Sequence, residues 1–228
     1  MFSRRLLTAA LLTGALSLTA CTSDDDSGDG ADRLDAAATS LAAAESFDIS
    51  LKTPELPSGT RGLLSAEGVG DHSPAFQGDV TVVAGGASLD AEVIAVDGKV
   101  WAQTGFASIW APLDPATLGA PDPAALVGTD ADSGLAGLMK VTEDIETGKQ
   151  SRDGDLVLTE ISGDIPGKQI ATLIPTADQE EDFDVTYRLT DDDVLHDAKI
   201  TGPFYGEDDV TYTLELTARD EPADITAP

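Results

Sequence analysis

Two hydrophobic periods divide this chain. In RLDAAATSLAAAES, from Arg33 to Ser46, apolar Leu34, Ala37, Ala38, Leu41 and Ala44 recur at helical spacing, and the alanines add helix propensity. One amphipathic helix is predicted there. From Phe47 the period becomes two: Phe47, Ile49 and Leu51 alternate with Asp48, Ser50 and Lys52, a half-buried strand that stops at Pro54. GLLSAEGVGD (62–71) and AFQGDVTVVAG (75–85) read as further strands. SLDAEVIAVDGKVWAQTG (88–105) reads as a hairpin, because its Asp97-Gly98 pair tolerates the positive φ angles of a tight turn. Ala91, Val93 and Ala95 then share one face of the strand, opposite Asp90 and Glu92.

Between 112 and 140 the alternation gives way to prolines and short apolar phrases, each preceded by a residue able to cap a helix: Asp114, Asp122 and Ser133. Short helices and turns, not strands, are expected. Alternation returns in VTEDIETGKQSRDGDLVLTEISGDI, with a turn expected at Asp153-Gly154, and GKQIATLIP predicts a short helix closed by Pro175. DFDVTYRLT, VLHDAKITG and DDVTYTLELTA then form a meander. These elements add up to an α+β domain, one strongly curved antiparallel sheet with several helices against one face. The same apolar face would serve a filled core or a cavity.

The first residues do not belong to that domain. A basic start with Arg4 and Arg5, an apolar run and small residues before Cys21 have the parts of an export signal over residues 1–20. The run is too short for a transmembrane helix. Leu18, Thr19, Ala20 and Cys21 match the bacterial lipobox, in which the cysteine thiol takes a diacylglycerol and becomes the new N-terminus. As the chain's one cysteine, Cys21 has no internal disulfide partner. An ordinary signal peptide that contains a cysteine is the plainer alternative, and SRRLL partly matches a twin-arginine signal. Residues 21–32, from Cys21 through TSDDDSGDGAD, read as the lipidated cysteine and an acidic disordered tether, leaving 33–228 as the folded domain.

The chain carries 42 acidic against 13 basic residues, a formal charge of −29. Such a surface repels phosphate backbones, so nucleic acid is excluded as a partner. His72 and His196 stand apart from any metal-ligand or nucleophile spacing and read as surface or edge histidines. DADSG at 130–134 opens like a calcium loop, but the template's fifth, sixth and twelfth positions fall on Gly134, Leu135 and Val141. No phosphate loop or G-x-S-x-G elbow occurs, so neither catalysis, metal nor cofactor is expected.

Several phrases, in order, resemble the actinobacterial lipoprotein family of LprG and LppX: LTAC, SLAAAESFDISLKT, LDAEVIAVDGKVWA, DPAAL, SGLAGLM, DLVLTEISGDIPGKQIATLIP and RDEPADITAP. The resemblance implies a half-barrel sheet with helices on its concave side, enclosing an apolar cavity for the acyl chains of lipids or glycolipids. It implies a carrier anchored at the outer face of the cell membrane by an N-terminal diacylglycerol, working in some members beside a major-facilitator transporter. Carried onto this chain, the cavity positions are Phe47, Ile49, Leu51, Ala91, Val93, Ala95, Val185, Tyr187, Leu189, Tyr212, Leu214 and Leu216 on the sheet. Leu135 and Leu138 face them from the helical region. A non-catalytic envelope adaptor, with the same residues as ordinary core, is the alternative.

Overall fold

A computed structural model of the chain describes residues 24–105, 109–130 and 132–228. The expected signal segment and Cys21 lie outside these residues. Strands β1 (Ser46–Lys52), β2 (Gly62–Asp71), β3 (Ala75–Ala84), β4 (Ala87–Val96), β5 (Lys99–Thr104) and β6 (Ala111–Leu113) form the first meander. Strands β7 (Glu143–Asp153), β8 (Leu156–Pro166), β9 (Asp182–Thr190), β10 (Leu195–Gly202) and β11 (Val210–Arg219) form the second. All pair antiparallel into one open, curved sheet of eleven strands, ordered β6-β5-β4-β3-β2-β1-β11-β10-β9-β8-β7. Helices α1 (Asp24–Ala43), α2 (Gly134–Lys140) and α3 (Gly167–Leu173), with two 3₁₀ turns at Pro115–Leu118 and Pro123–Leu126, complete the described elements. The α+β architecture expected from the alternating pattern is the observed one.

The topology dictates where the helical segment goes. The meanders meet at β1 and β11, so β6 and β7, consecutive in the chain, occupy opposite edges of the sheet. The connection between them crosses the concave face and carries α2 with it. Six of the seven residues of α2 are buried, all but Lys140, because it lies between α1 and the sheet. A helix that is apolar all round has no other stable place. Its end is pinned where the Thr142 hydroxyl donates to the Leu138 carbonyl at 2.9 Å and meets the Tyr187 hydroxyl at 3.0 Å.

Register puts the predicted faces together. Leu51, Ala66, Val80 and Ala91 form one cross-strand row on the concave side, and Ile49, Gly68, Gly78 and Val93 the next. In the second row the strands approach so closely that a Cβ on Gly68 would lie 2.3 Å from the Gln77 carbonyl oxygen, and one on Gly78 2.1 Å from that of Glu67. Side chains there would force the strands apart on the inner side, so this glycine pair permits the sheet's tight curl. On the convex side Glu67, Asp79 and Glu92 stand directly opposite one another. Like charges in that register oppose folding, and the apolar face behind them offsets the cost.

Three expectations are corrected. Helix α1 begins at Asp24, so residues 24–32, read as disordered tether, are its first turns. Acidic residues suit a helix N-terminus, where they complement the peptide dipoles, and Gly30 seats the helix against β7. A Cβ on Gly30 would lie 2.9 Å from both Ile145 Cγ2 and Thr147 Oγ1. Residues 111–113 form edge strand β6, not a turn or helix, and Pro112 is accommodated because an edge strand has one unpaired side. The β7–β8 turn is centred on Gly154-Asp155, since Asp153 pairs with Leu156 and Gly154 takes φ +57°. The β4–β5 turn is where it was read, with φ +54° at Asp97 and +67° at Gly98.

Replacing Gly78 by alanine is expected to lower stability by about 3 kcal/mol, because backbone on the facing strand must move to admit the methyl group. Urea titration followed by circular dichroism checks this, and an unchanged midpoint would show that the curl does not depend on the pair.

Candidate functional site

Among the described residues, two small apolar cavities stand out in the concave layer. The larger, about 50 Å³, has a floor from the sheet: Leu63, Ala66, Val80, Val82, Ala91, Val93 and Val100. Its roof is Leu113 at the end of β6 together with the crossing segment: Pro115, Leu118, Ala120, Pro121, Pro123 and Leu126. The roof is built from two single-turn 3₁₀ helices, Pro115–Leu118 and Pro123–Leu126. Each begins with proline, whose missing N–H costs nothing at a first helical position. Each is capped by the preceding aspartate, Asp114 accepting from Ala116 N at 3.1 Å and Asp122 from Ala124 N at 3.0 Å. Three residues per turn put Pro115 above Leu118 and Pro123 above Leu126 on one edge, so each turn presents an apolar pair downward.

The second cavity, about 20 Å³, lies between Leu51, Tyr212 and Leu214 of the sheet and Leu138, Ile170, Leu173 and Ile174. Leu126 lines both, so one side chain stands between them. A polar seam runs beside it. The Tyr212 hydroxyl donates to the Leu63 carbonyl, while the Tyr205 hydroxyl accepts from Leu63 N at 3.3 Å and meets the Tyr212 hydroxyl at 2.9 Å. This occurs where the β2–β3 register slips between Leu63 and Ser65. Burial pushes both phenols above their usual range, so they remain neutral donors and acceptors.

The expected cavity residues fall into two groups. Ala91 and Val93 line the larger cavity, and Leu51, Leu138, Tyr212 and Leu214 the smaller. Phe47, Ile49, Ala95, Leu135, Val185, Tyr187, Leu189 and Leu216 are buried in the same apolar cluster without lining either. The roof residues Pro115, Leu118, Pro123 and Leu126 were not among the expected positions. Their signal was present in PATL and PAAL, each an apolar pair three residues apart behind an aspartate.

The remaining chemical candidates hold the structure together. His72 sits edge-on to the Phe47 ring at 5.4 Å, with Nδ1 3.0 Å from the Gly128 carbonyl and Nε2 3.3 Å from that of Leu41. Its ring thus bridges the end of α1 and the loop before α2, with the tautomer deciding which of the two carbonyls accepts its N–H. In DADSG, Asp130 Oδ1 accepts from Asp132 N at 3.0 Å and from the Ser133 hydroxyl at 3.0 Å, and these bonds lower its pKa. The stretch is a turn that leads into α2. Among the described residues no three His, Cys, Asp or Glu side chains converge as a metal site would require. On the convex face Asp197, 1% exposed, accepts from both Arg188 Nε, at 2.9 Å, and Nη2, with His196 Nδ1 at 2.8 Å. Burial alone would raise this carboxyl, but Arg188 and His196 outweigh it and hold its pKa below the ordinary 3.8.

An open antiparallel sheet wrapped around its own crossing segment, with an apolar layer between, defines the architectural class. The model of the LppX_LprAFG lipoprotein family matches residues 29–225, and the chain belongs to that family. Its fold is similar to that of LprF from Mycobacterium bovis, with TM-score 0.71 and 15% identity over 89% of this chain and 98% of that one. It is also similar to the lipoprotein LppX from Mycobacterium tuberculosis, with TM-score 0.61 and 13% identity over 87% and 99% of the two chains. No curated protein matches the chain in sequence. The family resemblance read from the ordered phrases is therefore borne out. Among the described residues no helix is long and apolar enough to cross a membrane.

The Asp197 cluster carries a pH signature. A carboxyl whose folded pKa lies below its unfolded one stabilises fully above the unfolded value, and that contribution is lost as pH falls through the folded value. Asp197→Asn is expected to cost about 2 kcal/mol at neutral pH. The difference from wild type should shrink as pH is lowered past the ordinary 3.8 of a free aspartate. Denaturant titrations across that range check it; a difference that does not change with pH would contradict the assignment.

Proposed function

We propose that the protein is a non-catalytic carrier, anchored through acylated Cys21 at the outer face of the cell membrane, that takes acyl chains of lipids or glycolipids into its concave layer. A major-facilitator transporter is a fitting partner for such a role, and nucleic acid is not. The observation that carries this reading is the wholly apolar contact between the sheet floor and the 3₁₀ roof. The roof's hydrogen bonds run largely within itself, as from Thr117 N to the Asp114 carbonyl and from Gly119 N to that of Ala116, with Arg61 Nη1 tying it to the start of β2 at 3.1 Å. Membership of a lipoprotein family supports the anchor.

The size of the cavity sets a condition on this role. At about 50 Å³ it is far below the ~300–1,000 Å³ of sites that enclose drug-sized ligands. An acyl chain enters only if the roof lifts and Leu126 yields, joining the two cavities. Each methylene taken from water returns about 0.8 kcal/mol, so an incoming chain replaces the contacts the roof gives up. Floor and roof then part without leaving apolar surface wet.

Native mass spectrometry of the full chain expressed in an actinobacterium is expected to show co-purified acyl lipid. Val93→Trp fills the larger cavity and should abolish that adduct, and Ala91→Phe, at a half-buried position on the same floor, should reduce it with less risk to folding. A wild-type chain free of lipid would overturn the proposal.

A further inference from the structure

The cavity floor continues past its roof. Leu63 pairs with Val82 and Val82 with Leu89, a single row on the concave side. The first two line the larger cavity; Leu89, at the end of the row, is 45% exposed. Nearby, the chain leaving β5 returns to β6 through Ile109, which is 74% exposed. These lie at one end of the sheet, where the β3–β4 hairpin and the β5–β6 connection both turn, since Ala91 pairs with Thr104. The cavity therefore has an apolar rim.

That rim is electrically unlike the rest of the protein. Residues 80–89, 100–105 and 109–113 contain no charged side chain, in a chain of net charge −29, and the last two stretches hold both tryptophans. The opposite face of the same strands carries the Glu67, Asp79 and Glu92 row. Beside the rim, Arg61 precedes Gly62, which pairs with Val83; its guanidinium lies on the Thr117 carbonyl, with no carboxylate partner within 4.0 Å among the described residues. Exposed apolar side chains, no acids and one such cation suit a surface with hydrocarbon beneath phosphates. A basic protein would be drawn instead to the acidic convex face.

We propose that the rim formed by Leu89 and Ile109, with Arg61 beside it, docks onto the surface of a phospholipid bilayer, so that a lipid passes into the cavity without crossing water. This rests on the carrier reading and adds to it the face that meets the membrane. Apolar side chains entering the headgroup boundary supply the attachment, and the one acid next to the rim, Asp90, lies on the convex side, where it accepts from the Thr81 hydroxyl at 2.8 Å, so repulsion from the rim's inner side is small.

The test uses the full chain with Cys21→Ser, so that a single introduced thiol carries a polarity-sensitive fluorophore. Leu89→Cys and Ile109→Cys report the rim, and Glu92→Cys the opposite face. With phosphatidylcholine vesicles bearing nitroxide-labelled acyl chains, emission at positions 89 and 109 should be quenched several-fold more than at 92; equal quenching, or none, overturns the docking face. Independently, Leu89→Asp combined with Ile109→Asp should slow uptake of a pyrene-labelled phospholipid about ten-fold with an unchanged melting midpoint, and an unchanged uptake rate overturns the proposal. A lipid-loaded chain without quenching refutes docking alone, whereas rim-specific quenching on a chain that never holds lipid supports docking and refutes the carrier.

Discussion

Everything in this fold follows from one topological constraint: the sheet's two edge strands, β6 and β7, are neighbours in the chain. Their connection must cross the full width of the sheet. On the convex side it would lie over the acidic rows; on the concave side it meets Leu, Val, Ile and Phe, and burial of those side chains drives it there. The crossing segment is thus both connection and core. Because β1 and β11 join the two meanders in the middle, the apolar face is continuous from one wing to the other.

The two halves of the crossing differ in how firmly they are held. Helix α2 is sandwiched under α1, pinned by Thr142 and Tyr187, and flanked by the His72 tie between α1 and the preceding loop. The 3₁₀ segment over the β2–β5 wing is satisfied by its own aspartate caps and lies on the sheet through apolar contact. Local capping makes such a segment separable from the floor without orphaning backbone groups, the property a movable roof needs. The proposed cargo site lies under the 3₁₀ segment, whose backbone hydrogen bonds, apart from the one Thr117 carbonyl that accepts from Arg61, run within the segment itself.

Much of this was legible in the residues. Alternation located nearly every strand, because an antiparallel sheet with one wet face imposes a period of two that acidic residues make visible. Asp97-Gly98 identified its turn by conformational need. What was missed depended on tertiary contact. Asp24 to Asp32 look disordered until Gly30 is placed against Ile145 and Thr147, and Ala111–Leu113 becomes a strand only because β5 offers a free edge. The expected sheet positions lie on the concave side, but residues on that side divide into core and cavity lining according to where the roof rests. The register of β4 alone does not reveal that Pro115, Leu118, Pro123 and Leu126 complete the site.

The account thus comes down to whether acyl chains lie between the sheet floor and the 3₁₀ roof. The most direct measurement is photocrosslinking with a phospholipid bearing a diazirine near the end of one acyl chain, followed by peptide mapping. Label confined to residues 111–127, to the inward positions of β2, β3, β4 and β5, and to the lining of the smaller cavity is the predicted result. Label on the convex face, or none above the level seen with a water-soluble diazirine, would contradict it.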